Sequence, residues 1–185
     1  MAAILKCPIT HVKPVYILET ERLMLRIPSQ VDISFDQKIC MDERYKFMST
    51  YKKPQFCYLS LLKCLEYWAE YGFGALTFED KKSQEYLGKV FLHRKRPFAN
   101  REVREWFMGF GVTAGAEGRG IAYEACVAAR DWYLNVCKID RLYVDPSPYN
   151  ARSIALAKRL GGVFEGCMQD NYRGELELWC VSNSQ

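Results

Sequence analysis

No stretch of this chain reaches the roughly 20 apolar residues that a membrane span needs. Its start, MAAILKCPITHVK, has neither the long apolar core nor the cleavage site of a secretory signal. A cytoplasmic protein is expected. Histidine is scarce, with two in 185 residues. The eight cysteines, Cys7, Cys40, Cys57, Cys64, Cys126, Cys137, Cys167 and Cys180, are dispersed and form no C-x-x-C pair. Neither a structural metal nor a disulfide framework is therefore expected, and the thiols read as reduced. Internal repeats and low-complexity linkers are absent as well. The net charge of +4 is too small to imply a nucleic-acid partner. One denser basic stretch, HRKRPFANREVR at residues 93–104, carries no reader motif and reads as a solvated hairpin loop rather than a track for a phosphate backbone. What is present is a 49% hydrophobic chain of single-domain length, read as one domain over residues 1–185.

Periodicity places the elements. Residues 22–27 alternate, with Leu23, Leu25 and Ile27 on one face, as a strand does. A helix is expected within residues 32–48. A second, over residues 58–71, has Leu61, Leu62, Leu65, Trp68 and Ala69 on its apolar face and stops at Gly72. Strands follow at residues 75–79, 86–92 and 103–113, an antiparallel meander. A helix through about Val136 presents Ile121, Ala122, Ala125, Ala128, Ala129, Trp132 and Val136 as a stripe. Residues 142–144 return as a strand. Asn150 caps a helix that runs to Leu160, and Gly161 and Gly162 end it. Strands at residues 163–165 and 175–181 close the chain, the last with Leu176, Leu178 and Cys180 on one side.

The chemistry points to TAGAEGRGIAYEA, residues 113–125. Gly115, Gly118 and Gly120 remove the Cβ atoms that keep a ligand off the main chain and permit positive φ. A helix starting just after them leaves its first N–H groups unpaired and its positive dipole end aimed into the turn, a site suited to phosphate. No Walker string G-x-x-x-x-G-K-[ST] occurs. GFGVTA at residues 109–114 satisfies G-x-G-x-x-G/A, but it continues a strand of a meander and opens no βαβ unit, so a dinucleotide site is not expected.

Three segments in order carry a family resemblance: LETERLMLR at residues 18–26, GFGVTAGAEGRGIAYEA from Gly109, and NARSIALAKRLGGVFEG from Asn150. With them the chain resembles the GNAT superfamily of N-acetyltransferases, and specifically its RimJ/RimL-type branch. The resemblance implies an α/β (α+β) fold with a mixed central sheet of about seven strands flanked by helices. It implies acetyl-CoA as cosubstrate, with no metal. The family's phosphate motif Q/R-x-x-G-x-G/A falls on Glu117, Gly118, Arg119, Gly120, Ile121 and Ala122, and Glu117 departs from it. Phe110, Gly111 and Val112 are implied to pair with the pantetheine arm as with an added strand, and Asn150 and Ser153 to contact the same arm. An N–H near Val112 is implied as the oxyanion donor.

The proton-transfer groups are less clear. The position of the branch's strand carboxylate is matched by Phe107, and Glu105, two residues earlier on the same strand face, is the best substitute base; its other reading is a solvated strand residue paired with a nearby arginine. The family's tyrosine acid is replaced by Ala157, leaving Ser153 or Tyr149 as alternatives, each also readable as capping or packing. The acceptor implied is a primary amine, with a protein N-terminal α-amine as the favoured case. The alternative is a weakly active or inactive CoA-binding protein. A monomer or homodimer, with no membrane or nucleic-acid partner, is expected.

Overall fold

The computed structural model describes residues 13–47, 52–95 and 104–182. Twelve main elements run in the order β1 (Tyr16–Glu19), β2 (Leu23–Arg26), α1 (Ile33–Met41), α2 (Phe56–Tyr71), β3 (Leu76–Asp80), β4 (Tyr86–Lys95), β5 (Glu105–Val112), α3 (Ile121–Asn135), β6 (Leu142–Val144), α4 (Ala151–Arg159), β7 (Val163–Asp170) and β8 (Gly174–Val181). The strands form one eight-stranded mixed sheet, ordered β1-β2-β3-β4-β5-β6-β8-β7. The fold class is the one expected. The extra strand is β1, a short, half-exposed edge that pairs antiparallel with β2 and shows little alternation to read.

The meander β3-β4-β5 is antiparallel, and its tightest point explains a glycine. A Cβ on Gly88 would lie 2.2 Å from the Gly111 carbonyl oxygen and 2.5 Å from the Phe78 ring. The basic stretch departs from its reading as a solvated loop. His93, Arg94 and Lys95 belong to β4, because that strand pairs with β5 through Lys95 opposite Glu105. Arg94 donates to the Tyr71 hydroxyl and the Arg104 carbonyl. The rest of the stretch, residues 96–103, lies outside the described residues.

Burial in α2 is rotated from the expected face. Cys57, Leu61, Cys64 and Tyr67 point inward, whereas Leu62 and Leu65 are exposed. Ser60, Lys63, Glu66 and Glu70 mark one polar side, but the apolar remainder is wider than the stripe that packs, so periodicity alone does not fix which part of it is buried. Gly72, at φ 74°, ends the helix with its N–H on the Trp68 carbonyl. The α3 helix buries Ile121, Ala125, Cys126, Ala129 and Tyr133, while Val136, at its C-cap, is exposed. Small residues on this face bring α3 close to the sheet, and the Tyr133 hydroxyl bonds the Gly74 carbonyl at 2.7 Å. The main core joins Leu23, Leu25, Phe78, Val90 and Met108 of the sheet to α3 and to Leu156 and Ala157 of α4. β7 runs five residues beyond the expected 163–165, to Asp170. It is the outer edge, largely exposed, and lacks the apolar alternation that reveals β8.

Buried ions are paired. Arg26 holds Asp32 through two nitrogens and Glu79 at 2.9 Å, and Thr77 adds a bond to Asp32. Lys89, 1% exposed, pairs with Asp36, which also accepts from Tyr86. Among the described residues the cysteines are free and no group of three or more His, Cys, Asp and Glu is placed to hold a metal. No helix among them is long and apolar enough to cross a membrane.

Candidate active site

The sheet opens at its centre. β5 and β6 pair in parallel only at Trp106–Leu142 and Phe107–Tyr143. Beyond that point β5 continues to Val112, whereas β6 stops at Val144. The Thr113 N–H bonds the Leu87 carbonyl, so by alternation Gly111 and Gly109 direct their backbone groups toward β4, and Val112, Phe110 and Met108 direct theirs into the opening. Of the three residues implied to pair with the pantetheine arm, Phe110 and Val112 present donors and acceptors there. Gly111 instead contributes its missing side chain, with Phe91 and Ile39 carbons about where a Cβ would touch, at 3.5 and 3.6 Å.

At the end of β5 the chain makes a 3-10 turn, Ala114–Ala116, and then the glycine turn. Gly118 and Gly120 stand at φ 71° and 76°, in the left-handed region that glycine tolerates without strain. Gly120 is the N-cap of α3 and offers no side chain to its first N–H groups. Those of Ile121 and Ala122 therefore remain as donors at the positive end of a 15-residue helix. Arg119 braces the turn by donating to the Gly115 carbonyl at 3.2 Å. The Glu117 carboxylate is engaged by Arg44 at 3.3 Å and Arg152 at 3.4 Å.

The opening motif explains itself here, a role the sequence alone did not disclose. Glu124, in the first turn of α3, accepts from the Thr20 hydroxyl at 2.6 Å, the Arg22 N–H at 2.9 Å and Arg22 Nε at 2.6 Å. Arg22 Nη1 reaches the Arg119 carbonyl. Thr20 and Arg22 of LETER thus tie the β1–β2 corner to the glycine turn. Burial works to raise the Glu124 pKa, but the bonds from Thr20 and Arg22 outweigh it and hold the carboxyl below the usual glutamate range.

At the other end of the opening, Phe107 is fully buried. Its ring stacks between His93, with centroids 5.8 Å apart, and Tyr143, at 5.2 Å, and Lys95 Nζ lies 4.5 Å from its centroid. Asp145, just after β6 and 5% exposed, accepts from Lys95 and from Arg173 of the β7–β8 turn. Burial, reinforced by the Lys95 and Arg173 charges and only partly offset by Asp145, pushes the His93 pKa down to about 4, so this imidazole is neutral at pH 7. His93 and Asp145 were not singled out from the sequence. They become visible only when β4, β6 and the last hairpin meet. Glu105 begins β5 opposite Lys95, half-buried, and makes no ion pair among the described residues.

Across the opening stands α4. Asn150 is its N-cap, accepting from the Ser153 N–H at 3.2 Å. Ser153 is half-buried, Tyr149 is 84% exposed, and Ala157 is fully buried against the core. The structure therefore brings Asn150 and Ser153 together at one helix start, sets Tyr149 in solvent, and keeps Glu105 on the far strand.

A central sheet parted at two strands, with a glycine turn and helix start at the mouth of the gap, defines a class of acyl-transfer domain. The family model described as the Acetyltransferase (GNAT) domain matches residues 22–163. The chain belongs to the GNAT family of acetyltransferases, in its RimJ/RimL-like group. An acetyltransferase from Agrobacterium tumefaciens is similar in structure at 25% identity, with a TM-score of 0.78 over 94% of this chain and 96% of that one. A ribosomal-protein-S5-alanine acetyltransferase from Vibrio fischeri shares the fold at 18% identity, with a TM-score of 0.67 over 91% and 97%. So does a ribosomal L7/L12 alpha-N-protein acetyltransferase in complex with coenzyme A, at 16% identity and a TM-score of 0.69 over 90% and 97%. No curated protein matches the chain.

Proposed function

We propose that this acetyltransferase moves the acetyl group of acetyl-CoA directly to a primary amine, with a protein or peptide N-terminal α-amine as the acceptor. The observation that carries this reading is the edge of β5 that no strand pairs beyond Phe107, with Phe110 and Val112 facing the opening, beside the uncapped start of α3. Gly118, Arg119, Gly120, Ile121 and Ala122 would receive the pyrophosphate on backbone N–H groups, with Glu117 turned toward Arg44 and Arg152. Phe110 and Val112 would pair with the pantetheine arm from one side, and Asn150 and Ser153 would meet it from the other.

The transfer forms an N–C bond to the thioester carbonyl, breaks the C–S bond, releases CoA as thiol or thiolate, and takes one proton from the amine. The Phe110 N–H, aimed into the opening, is suited to receive the oxyanion charge. A lysine amine of pKa about 10.4 is neutral in only about one part in a few thousand at pH 7, whereas an α-amine of pKa about 7.7–8.0 is neutral more than a tenth of the time. With Phe107 where a carboxylate is common and Ala157 buried where an acid is common, an acceptor that is already largely neutral suits the site. Glu105 is the substitute base. The L7/L12 and S5 enzymes of the same fold are named for acceptors of this kind or for ribosomal proteins.

Acetyl-CoA should raise the melting temperature, because a ligand that binds only the folded state stabilises it by RT ln(1 + [L]/Kd), and NAD should not. Peptides with free α-amines should release CoA thiol faster than peptides whose only amine is a lysine side chain. The reverse order at pH 7 would refute the acceptor assignment. The buried Ala157 and the exposed Tyr149 also favour a second reading, a CoA-binding protein without turnover. Binding of acetyl-CoA with no thiol release across a broad amine panel would establish that one.

A further inference from the structure

The edge of β5 that the cosubstrate needs is not bare. Val112 donates its N–H to the Tyr45 hydroxyl at 3.2 Å, and the same hydroxyl donates to the Val112 carbonyl. Tyr45 thus makes, with one oxygen, the pair of contacts that an added strand makes with an amide. It belongs to a short 3-10 turn, Glu43–Tyr45, between α1 and α2. That turn is pinned. Asp42 caps it by accepting from the Arg44 N–H and from Arg44 Nε, Arg44 reaches Glu117 at 3.3 Å, and Glu117 lies 3.5 Å from the Tyr45 hydroxyl. Arg152 of α4 meets the same carboxylate. Glu117 therefore joins the glycine turn to the segment that covers the strand edge, which gives a physical role to the residue that departs from the phosphate motif.

Resting on the acetyl-CoA reading above, we propose that Tyr45 is a strap over the cosubstrate edge, that it holds Val112 in the pantetheine arm's place in the free protein, and that acetyl-CoA binds by displacing it. Tyr45 and the pantetheine arm compete for one donor. A carbonyl oxygen has two lone pairs and can accept twice, but a backbone N–H carries a single hydrogen. The Val112 N–H cannot serve Tyr45 and a pantetheine carbonyl at full strength together. The Val112 position cannot escape the conflict by turning, because Gly111 and Thr113 on either side are committed to β4. Tyr45 is half-buried, and burial pushes its hydroxyl up to about 12, so it remains a protonated donor throughout the physiological range. Removing the hydroxyl while keeping the ring takes away the competitor and leaves the strand edge intact. The apparent affinity of a site that is open only part of the time is reduced by the open fraction, so opening it must tighten binding.

The test is Tyr45→Phe in the full chain, with acetyl-CoA affinity measured by calorimetry and backbone exchange by deuterium uptake. The variant should bind acetyl-CoA tighter by roughly three- to tenfold, the worth of about one net hydrogen bond, and its Val112 amide should exchange faster than the wild type's when no ligand is present. In the wild type alone, acetyl-CoA should speed exchange across residues 42–47 while slowing it at Val112. Equal or weaker binding by the variant, or residues 42–47 that stay in place or tighten on binding, would overturn the strap and make Tyr45 a ligand or a packing residue. If neither wild type nor variant binds acetyl-CoA, the cosubstrate reading itself fails.

Discussion

Thr20 and Glu124, 104 positions apart in the chain, share a 2.6 Å hydrogen bond that fastens the corner between β1 and β2 to the first turn of α3. Replacing Glu124 with glutamine should lower stability by about 1–3 kcal/mol at pH 7, since a charge-assisted acceptor for Thr20 and Arg22 is lost. The pH dependence has a definite sign. The folded pKa of Glu124 lies below its unfolded value, so its contribution is fully present above about pH 4.3 and fades as pH falls through the folded value. Calorimetric melting of both proteins should show their difference shrinking below about pH 4, and a constant gap would contradict the assignment.

Gly120→Val should fold with reduced stability and lose the acetyl-CoA melting shift. A β-branched residue at φ 76° is strained, and its Cβ would stand 3.6 Å from Arg22 Nη2 of the brace that holds the turn. An undiminished shift in the folded variant would remove the phosphate assignment from this turn.

Asn150→Ala should cost about 1 kcal/mol through the lost cap and also weaken acetyl-CoA binding. Denaturant titration and calorimetry separate the two. Lost stability with unchanged affinity would leave Asn150 a cap and nothing more.

Glu105→Gln should depress kcat/KM on an α-amine peptide near neutral pH and recover at high pH, where the amine deprotonates unaided. A flat ratio of variant to wild type across the profile would assign proton removal to water. His93, neutral beside Phe107, is the comparison to make with His93→Gln.

The fold was legible wherever local chemistry was decisive. Gly72, Asn150 and the Gly161–Gly162 pair fixed helix ends, and the alternation of residues 175–181 fixed β8, because each depends on φ preference, capping or period alone. The face of α2 was legible only in part: Leu61 and Trp68 pack as expected, but the apolar side is wider than the buried stripe, and its neighbours decide which part of it is covered. Nor was β7, an exposed edge whose pairing comes from β8. At the site the glycine turn announced itself, while the grouping of His93, Lys95, Asp145 and Arg173 did not. Those four come from β4, the end of β6 and the last turn, and no spacing in sequence encodes their meeting. Tyr45 was hidden for the same reason: nothing in the run Asp42-Glu43-Arg44-Tyr45 states that its hydroxyl ends on Val112, 67 positions away.

The parting of β5 from β6 has a mechanical consequence. Only two residue pairs stitch the five-strand half of the sheet to the three-strand half, so the seam resists shear far less than the eight paired positions between β4 and β5. The body that transfers the acetyl group is thus two plates joined by a short weld, with the helices as the outer brace. A ligand pairing with the β5 edge would lengthen that weld on the side where the two strands part.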